Sequence, residues 1–131
     1  MFDFKKVCDV ADCLASLSGE EFTRSAISRY YYSIFCCARL YLILVMGEDI
    51  FRGRENIHRK VSDRLIKSKD LTESSIGYLL EDLRYLRNLA DYDWYEKDSS
   101  FFTEKLDLAS SEARIGLEQI EALRNSPPLE L

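Results

Sequence analysis

The sequence predicts an all-α protein, an antiparallel bundle of four to five helices, and three observations carry that reading. No proline occurs before Pro127, and only five glycines are spread over 131 residues, a composition that suits helices and not a loop-rich β-protein. Apolar residues recur at steps of three and four through most of the chain, which is the helical period. Hydrophobic residues make up 47% and charged residues 31%, enough to fill a core and keep the remainder in water. At this length a single domain is expected over residues 1–124, followed by a flexible C-terminal tail over 125–131.

Each helix has its own stripe. The first is expected over residues 3–17, with Phe4, Val7, Cys8, Ala11, Leu14 and Ala15 on one face, and Ser18-Gly19 ends it. The second, over 21–46, carries Ile27, Tyr30, Tyr31, Ile34, Phe35, Ala38, Tyr41, Leu42 and Val45. Its second half is apolar on the opposite face too, at Cys36, Cys37, Leu40, Ile43 and Leu44. Such a helix is either the centre of the bundle or covered by a second subunit. Gly47 fits just past its end. After a polar loop, a shorter helix over 56–67 buries Ile57, Val61 and Leu65. Thr72 is the expected N-cap of a fourth helix reaching residue 92, with Ile76, Leu79, Leu80, Leu83, Leu86 and Ala90 inward. The last helix, over 100–124, turns Phe102, Leu106, Ala109, Ala113, Leu117, Ile120 and Leu123 to the core.

Several function classes are disfavoured. Asp3, Lys5, Lys6, Asp9 and Asp12 interrupt the start, so no signal peptide is read there. The most apolar run, 34–46, contains Arg39 and falls short of the roughly 20 residues a bilayer needs. A cytoplasmic protein with no membrane partner is therefore expected. Cys8, Cys13, Cys36 and Cys37 form no C-x-x-C pair and have one histidine for company. No metal site and no cofactor are expected from them, only reduced, packed thiols. A phosphate-cradling glycine loop and a Ser-His-Asp arrangement are both missing from the sequence.

Charge is unevenly placed. The net charge is −5, yet residues 52–69 carry seven basic side chains against Glu55 and Asp63, a net +5 that leaves −10 elsewhere. This segment, with Arg59 and Lys60, is either a phosphate-facing patch or a solvated helix face with acidic neighbours.

On the fourth helix Arg84 and Arg87 are three residues apart, and Arg87 and Asp91 four, so all three share a face. Arg87 lies beside Leu86 and Ala90 at the edge of the inner stripe and needs a partner, which Asp91 or Asp93 supplies. Two readings stand. One is a salt bridge that stitches a helix end together; the other is a guanidinium fork preoriented for a phosphate. Asn88 adds a hydrogen-bonding group, and Tyr92, Trp94 and Tyr95 add aromatic surface for core packing or base stacking. Tyr30-Tyr31-Tyr32 on the second helix spans about 200°, so at least one hydroxyl is expected to leave the core, with Tyr32 and Arg29 the freer residues. His58 reads as a helix-surface or capping group, or as a catalyst.

The segments Ser25-Ala26-Ile27-Ser28-Arg29-Tyr30-Tyr31-Tyr32-Ser33-Ile34-Phe35, His58-Arg59-Lys60-Val61 and Leu83-Arg84-Tyr85-Leu86-Arg87-Asn88-Leu89-Ala90-Asp91-Tyr92-Asp93 resemble the small HEPN-domain family of bacteria and archaea. The resemblance runs from about residue 4 to 124. It implies an up-and-down bundle that usually dimerises. Many members are metal-independent ribonucleases of toxin–antitoxin, CRISPR and antiviral systems. Several toxins pair with a nucleotidyltransferase antitoxin, which in some systems modifies a tyrosine.

The family signature is an Arg, usually a polar residue next, and a His four to six residues on, two copies meeting in one cleft. Arg87 and Asn88 match it, but Asp91, Tyr92 and Asp93 stand where the His would fall, with Tyr92 closest in register. A His near 6.5 both gives and takes a proton at neutral pH; Tyr near 10 and Asp near 4 do not. The resemblance thus implies an RNA-directed toxin or defence component, acting as a homodimer around an Arg87-centred cleft. In it Arg84, Arg87, Arg29, Arg59 and Lys60 face phosphates, and Asp91 and Asp93 support them. Arg87 and Asn88 carry any chemistry, with Tyr92 or His58 in place of the missing His. The alternative is a non-catalytic adaptor paired with a nucleotidyltransferase or another protein.

Overall fold

Residues 1–129 are described by a computed structural model, and they form five α-helices and no strand: α1 (Lys6–Ala15), α2 (Glu20–Leu40), α3 (Ile57–Ile66), α4 (Leu71–Tyr92) and α5 (Ser99–Asn125). The expected tail is helical at Asn125 and irregular from Ser126; its positions 130 and 131 lie outside the described residues. The chain is all-α, as its periodicity requires. α2 runs on without a break into a π-helical turn, Tyr41–Val45, and Gly47 follows at φ 69°, a left-handed turn open to glycine. A 3₁₀ turn, Asp49–Arg52, occupies the loop before α3.

One boundary differs from the sequence reading. α4 is capped by Asp70, whose carboxylate accepts from the Glu73 backbone N–H at 2.8 Å, and Thr72 lies inside the first turn. Asp70 has the extended backbone an N-cap needs, and aspartate outranks threonine there. Asp98 opens α5 in the same way, accepting from Phe101 N–H at 3.1 Å.

Polar contacts between helices fix their directions. Arg24 at the start of α2 reaches Asp93 at the end of α4, and Tyr41 just past α2 reaches Glu73 at the start of α4, so α2 and α4 are antiparallel. Arg114 of α5 holds Asp12 of α1 at 2.7 Å and Lys5 meets Glu121 at 3.8 Å, so α1 and α5 are antiparallel as well. Arg24 lies over the Phe102 ring and Ile34 lies beside Gly116, which makes α2 and α5 parallel. α2 is the central helix, packed against α1, α4 and α5. That settles why its second half is apolar all round: Tyr41, Leu42 and Ile43 are buried and Cys36, Cys37 and Leu40 half-buried within one chain. Leu44, on the same opposite face, stays 50% exposed.

α3 lies on α4 at unusually short range. A Cβ on Gly77 would stand 2.6 Å from the Ile66 backbone nitrogen, so only glycine permits this approach. The four thiols are free. Cys8 is buried, but Cys13 is exposed, since it lies on the outer side of a short helix; it is not the packed thiol expected. Burial pushes the Cys37 thiol up to about 12, which keeps it protonated. Among the described residues, no helix is long and apolar enough to cross a membrane, and no three His, Cys, Asp or Glu side chains converge as a metal site.

Candidate functional site

The tyrosine triplet on α2 organises the surface where α2, α3 and α4 meet. Its three rings point in different directions because successive helical residues turn by about 100°. Tyr30 is buried and donates to Asp12 at 2.5 Å. Tyr31 is buried and meets Nδ1 of His58 at 2.6 Å. Tyr32 is half-buried, and its hydroxyl accepts from Nη2 of Arg87. As expected, Tyr30 and Tyr31 lie in the core and Tyr32 is the one that leaves it, and each of the three has a partner within the chain.

Arg87 is more enclosed than a ligand-seeking arginine. Its side chain is 15% exposed, and Nε lies 2.9 Å from Oδ2 of Asp91. Nη1 donates to Oδ1 of Asn88 at 3.1 Å. Asp91 also accepts from the Ser28 hydroxyl at 3.2 Å, which ties this ion pair back to α2. The helix-end salt bridge anticipated from the four-residue spacing is therefore formed. Asp93 takes no part in it. Its carboxylate caps the following turn through the N–H groups of Glu96 and Lys97, and its carbonyl accepts from Arg24. Arg24 places positive charge at the C-terminal end of α4, where free carbonyls and the helix dipole favour it.

Two further arginines join Arg87 without carboxylates of their own. The Arg29 and Arg87 guanidiniums lie 5.5 and 5.0 Å from the Tyr32 ring centre. Arg84 is near enough to act on both Tyr31 and His58 through its charge. Among the described residues, neither Arg29 nor Arg84 has an ion pair. The result is a local surplus of positive charge on an acidic protein, in which, among the described residues, Asp91 is the one carboxylate paired to these arginines. Tyr92 lies over Arg87 at 5.8 Å and is 70% exposed; Trp94 and Tyr95 lie next to it, exposed and against each other.

Arg59 turns away from this cluster, and Lys60 beside it is exposed on α3. Arg59 pairs with Asp63 at 3.5 Å on the outer face of α3, and Arg64 is bound to Glu48 and Glu73. Much of the basic segment is thus a helix face with acidic neighbours.

His58 does lie at the cluster, stacked 4.1 Å from the Phe35 ring. Burial, then the charges of Arg84, Arg87 and Arg39, push its imidazole down to about 4. Burial also holds the Tyr31 hydroxyl well above its ordinary value. Both groups are neutral near pH 7, and one hydrogen bond joins the Tyr31 hydroxyl to Nδ1 of His58. Such an imidazole is a weak base near pH 7. Because its folded value lies below the ordinary 6.5, His58 favours the fold fully above that pH. The contribution is lost as pH falls through 4. With solvent screening this amounts to about 1 kcal/mol. Chemical denaturation is expected to show a fall in stability between pH 6.5 and 4 that is about 1 kcal/mol smaller in His58→Phe.

What the sequence reading missed here is the role of Tyr32 as the meeting point of Arg29 and Arg87. The signal was available, since residues 29 and 32 are three apart on α2, but which element faces them is a tertiary fact.

No protein-family model matches the chain, and no solved structure matches it. The chain is similar to an uncharacterized protein of Methanocaldococcus jannaschii, 32% identical over 108 residues, which covers 70% of this chain. The chain spans 59% of the length of that relative.

Proposed function

We propose that this chain is a HEPN-like, RNA-directed protein, a toxin or antiviral-defence component that acts as a dimer and binds RNA phosphates at the Arg87-centred cleft. The observation that carries the reading is the meeting of Arg29 and Arg87 at the Tyr32 ring, with Arg84 near Tyr31 and His58, and Asp91 paired to Arg87. Arg87, held by Asp91, Asn88 and Tyr32, orders the cluster; Arg29 and Arg84 supply the uncompensated charge that draws a polyanion. Tyr92, Trp94 and Tyr95 offer faces on which bases stack. Binding is favoured over cleavage. Cleavage by 2′-hydroxyl attack needs a group that exchanges protons near pH 7, and a His58 pushed down to about 4 does not supply one.

Binding of labelled single-stranded RNA by the purified chain tests this. Arg87→Ala is expected to weaken binding by about 10-fold or more, the loss of one charge-assisted contact. Equal affinity of the two proteins sinks the reading. The same samples incubated with cellular RNA resolve catalysis: products formed by the wild type but not by Arg87→Ala or His58→Ala identify a metal-independent ribonuclease.

A second reading is favoured by the exposed Tyr92-Trp94-Tyr95 surface. In it the chain is a non-catalytic adaptor whose partner is a nucleotidyltransferase or another protein, and the arginine cluster only shapes the docking surface. Failure to bind RNA with stable capture of such a partner supports it.

A further inference from the structure

α4 opposes α2 and α5 runs with it, so α4 and α5 are antiparallel, and along their seam lies a groove of about 330 Å³. Leu86, Leu108 and the rings of Tyr85 and Phe101 give it apolar walls; Asp82, Lys105 and Glu112 complete the lining.

Charge in this lining is separated along the helices. On α5 Phe101 comes first, then Lys105, then Glu112, while on α4 Asp82 precedes Leu86. In antiparallel helices that order puts Asp82 beside Glu112 at one end. From Phe101 to Glu112 is about 16 Å of helix. The Lys105 ammonium lies at the far end, 5.8 Å from the Phe101 ring centre, with that of Lys97 at 5.1 Å.

The acid end is chemically incomplete. Oε2 of Glu112 is out of solvent and has no hydrogen-bond partner, a costly state for a carboxylate oxygen. Among the described residues, neither Glu112 nor Asp82 has an ion pair. Burial, then the Asp82 charge, pushes the Glu112 carboxyl up, so its nearest charged neighbour makes matters worse. Glu73 shows how this fold treats an enclosed acid when the chain completes the site: Arg64, Tyr41 and Ser68 all donate to it. Glu112 receives no such donor.

The missing group is a cationic donor that arrives from outside and also covers apolar walls. We propose that the groove binds a small organic amine, its ammonium between Asp82 and Glu112 and its apolar stem along Leu86, Leu108, Tyr85 and Phe101. An ammonium carries three donors, enough for both carboxylates, and such charge-assisted bonds are the strong ones. A metal ion would use the acids and leave the walls bare. A polyamine would bring its second cation against Lys97 and Lys105, and a phosphate would meet the two acids. One ammonium on an apolar stem suits both ends, in a groove of the size that small ligands occupy. The site stands apart from the RNA reading: Tyr85 and Arg87 are about 200° apart around α4, and amine binding is measured without RNA.

Titration of the isotope-labelled full chain with hexylamine, followed by amide NMR shifts, tests this. Salt at about 0.15 M screens general attraction to an acidic protein. Saturable shifts are expected at Asp82, Phe101, Leu108 and Glu112, with a dissociation constant of about 1 mM or tighter. Hexanol, which has the same stem and no charge, is expected to bind at least ~10-fold more weakly. Glu112→Gln keeps the shape of the side chain and is expected to weaken hexylamine ~10-fold or more. Spermidine is expected to bind more weakly than hexylamine and to gain affinity in Lys105→Gln. Hexylamine shifts that do not saturate, or that fall elsewhere on the molecule, overturn the proposal. So does hexanol or spermidine matching hexylamine, or a Glu112→Gln protein of native circular dichroism that retains full affinity.

Discussion

Glu73→Ala is expected to cost about 3–5 kcal/mol, the range for removing one member of a buried ion pair. Glu73 is 1% exposed, and its carboxylate is the hub on which three elements meet. It accepts from the Tyr41 hydroxyl at 2.5 Å, from Arg64 Nη1 at 3.0 Å and from the Ser68 hydroxyl at 2.6 Å. Arg64 in turn grips Glu48 with two bonds, at 2.7 and 2.8 Å. The π-helical turn, the loop before α3, α3 itself and α4 are joined through this one acid. Burial alone would raise its pKa; the hydrogen bonds from Ser68, Tyr41 and Arg64, with the charge of Arg64, bring it below the ordinary carboxylate value instead.

Truncation to alanine removes the acceptor and leaves the Tyr41 hydroxyl, on a residue 1% exposed, without its partner. Against a typical total stability of about 5–15 kcal/mol, that is enough to unfold a large share of molecules at physiological temperature. Glu73→Gln keeps an acceptor and is expected to lose less, about 1–2 kcal/mol. Urea denaturation followed by circular dichroism measures both. Since the folded pKa is depressed, the contribution of Glu73 is present above its ordinary value and is lost as pH falls through the folded one. The gap between wild type and Glu73→Gln should therefore narrow in acid. A Glu73→Ala protein as stable as wild type would show that the network contributes packing only.

This network marks where sequence reasoning stopped. The inward stripes of α2, α4 and α5 were legible because they obey one local rule, the helical period, and Gly47 was legible because a helix end needs its backbone freedom. Glu73 obeys no such rule: by type it belongs outside, and only the arrival of Arg64, Tyr41 and Ser68 from other elements makes its burial favourable. Asp70 followed by Glu73 has the spacing of a helix N-terminus, a clue that Asp70, and not Thr72, caps α4. Gly77 lies inside a helical pattern, where glycine is unfavourable, and its reason is the backbone of Ile66. In the site, the spacing of Arg87 and Asp91 announced their ion pair. The contributions of Tyr32, Ser28 and His58 come from α2 and α3 and depend on packing that periodicity does not encode.

The arginine cluster gives the other large expected effect, and it separates ordering from binding. Arg29→Ala/Arg84→Ala/Arg87→Ala combined is expected to weaken RNA binding by about 100-fold or more at moderate salt, since each lost phosphate contact also lowers the salt slope by about 0.7 on single strands. The three are not equivalent. Arg29 and Arg84 lack a carboxylate, whereas Arg87 shares its charge with Asp91 at 2.9 Å. The single variants Arg29→Ala and Arg84→Ala are therefore expected to reduce the slope with little change in stability. Arg87→Ala removes the bonds to Tyr32, Asn88 and Asp91 together, so it should lower stability as well as affinity. Asp91→Asn is the informative converse. It keeps an oxygen for Ser28 and removes the one negative charge at the cluster, so tighter RNA binding and a steeper salt slope are expected. Salt titrations on the wild type and these five variants measure this directly. Unchanged binding in Asp91→Asn, or full binding by the triple variant, would place the RNA surface elsewhere on the molecule and leave Arg87 a purely structural clamp between α2 and α4.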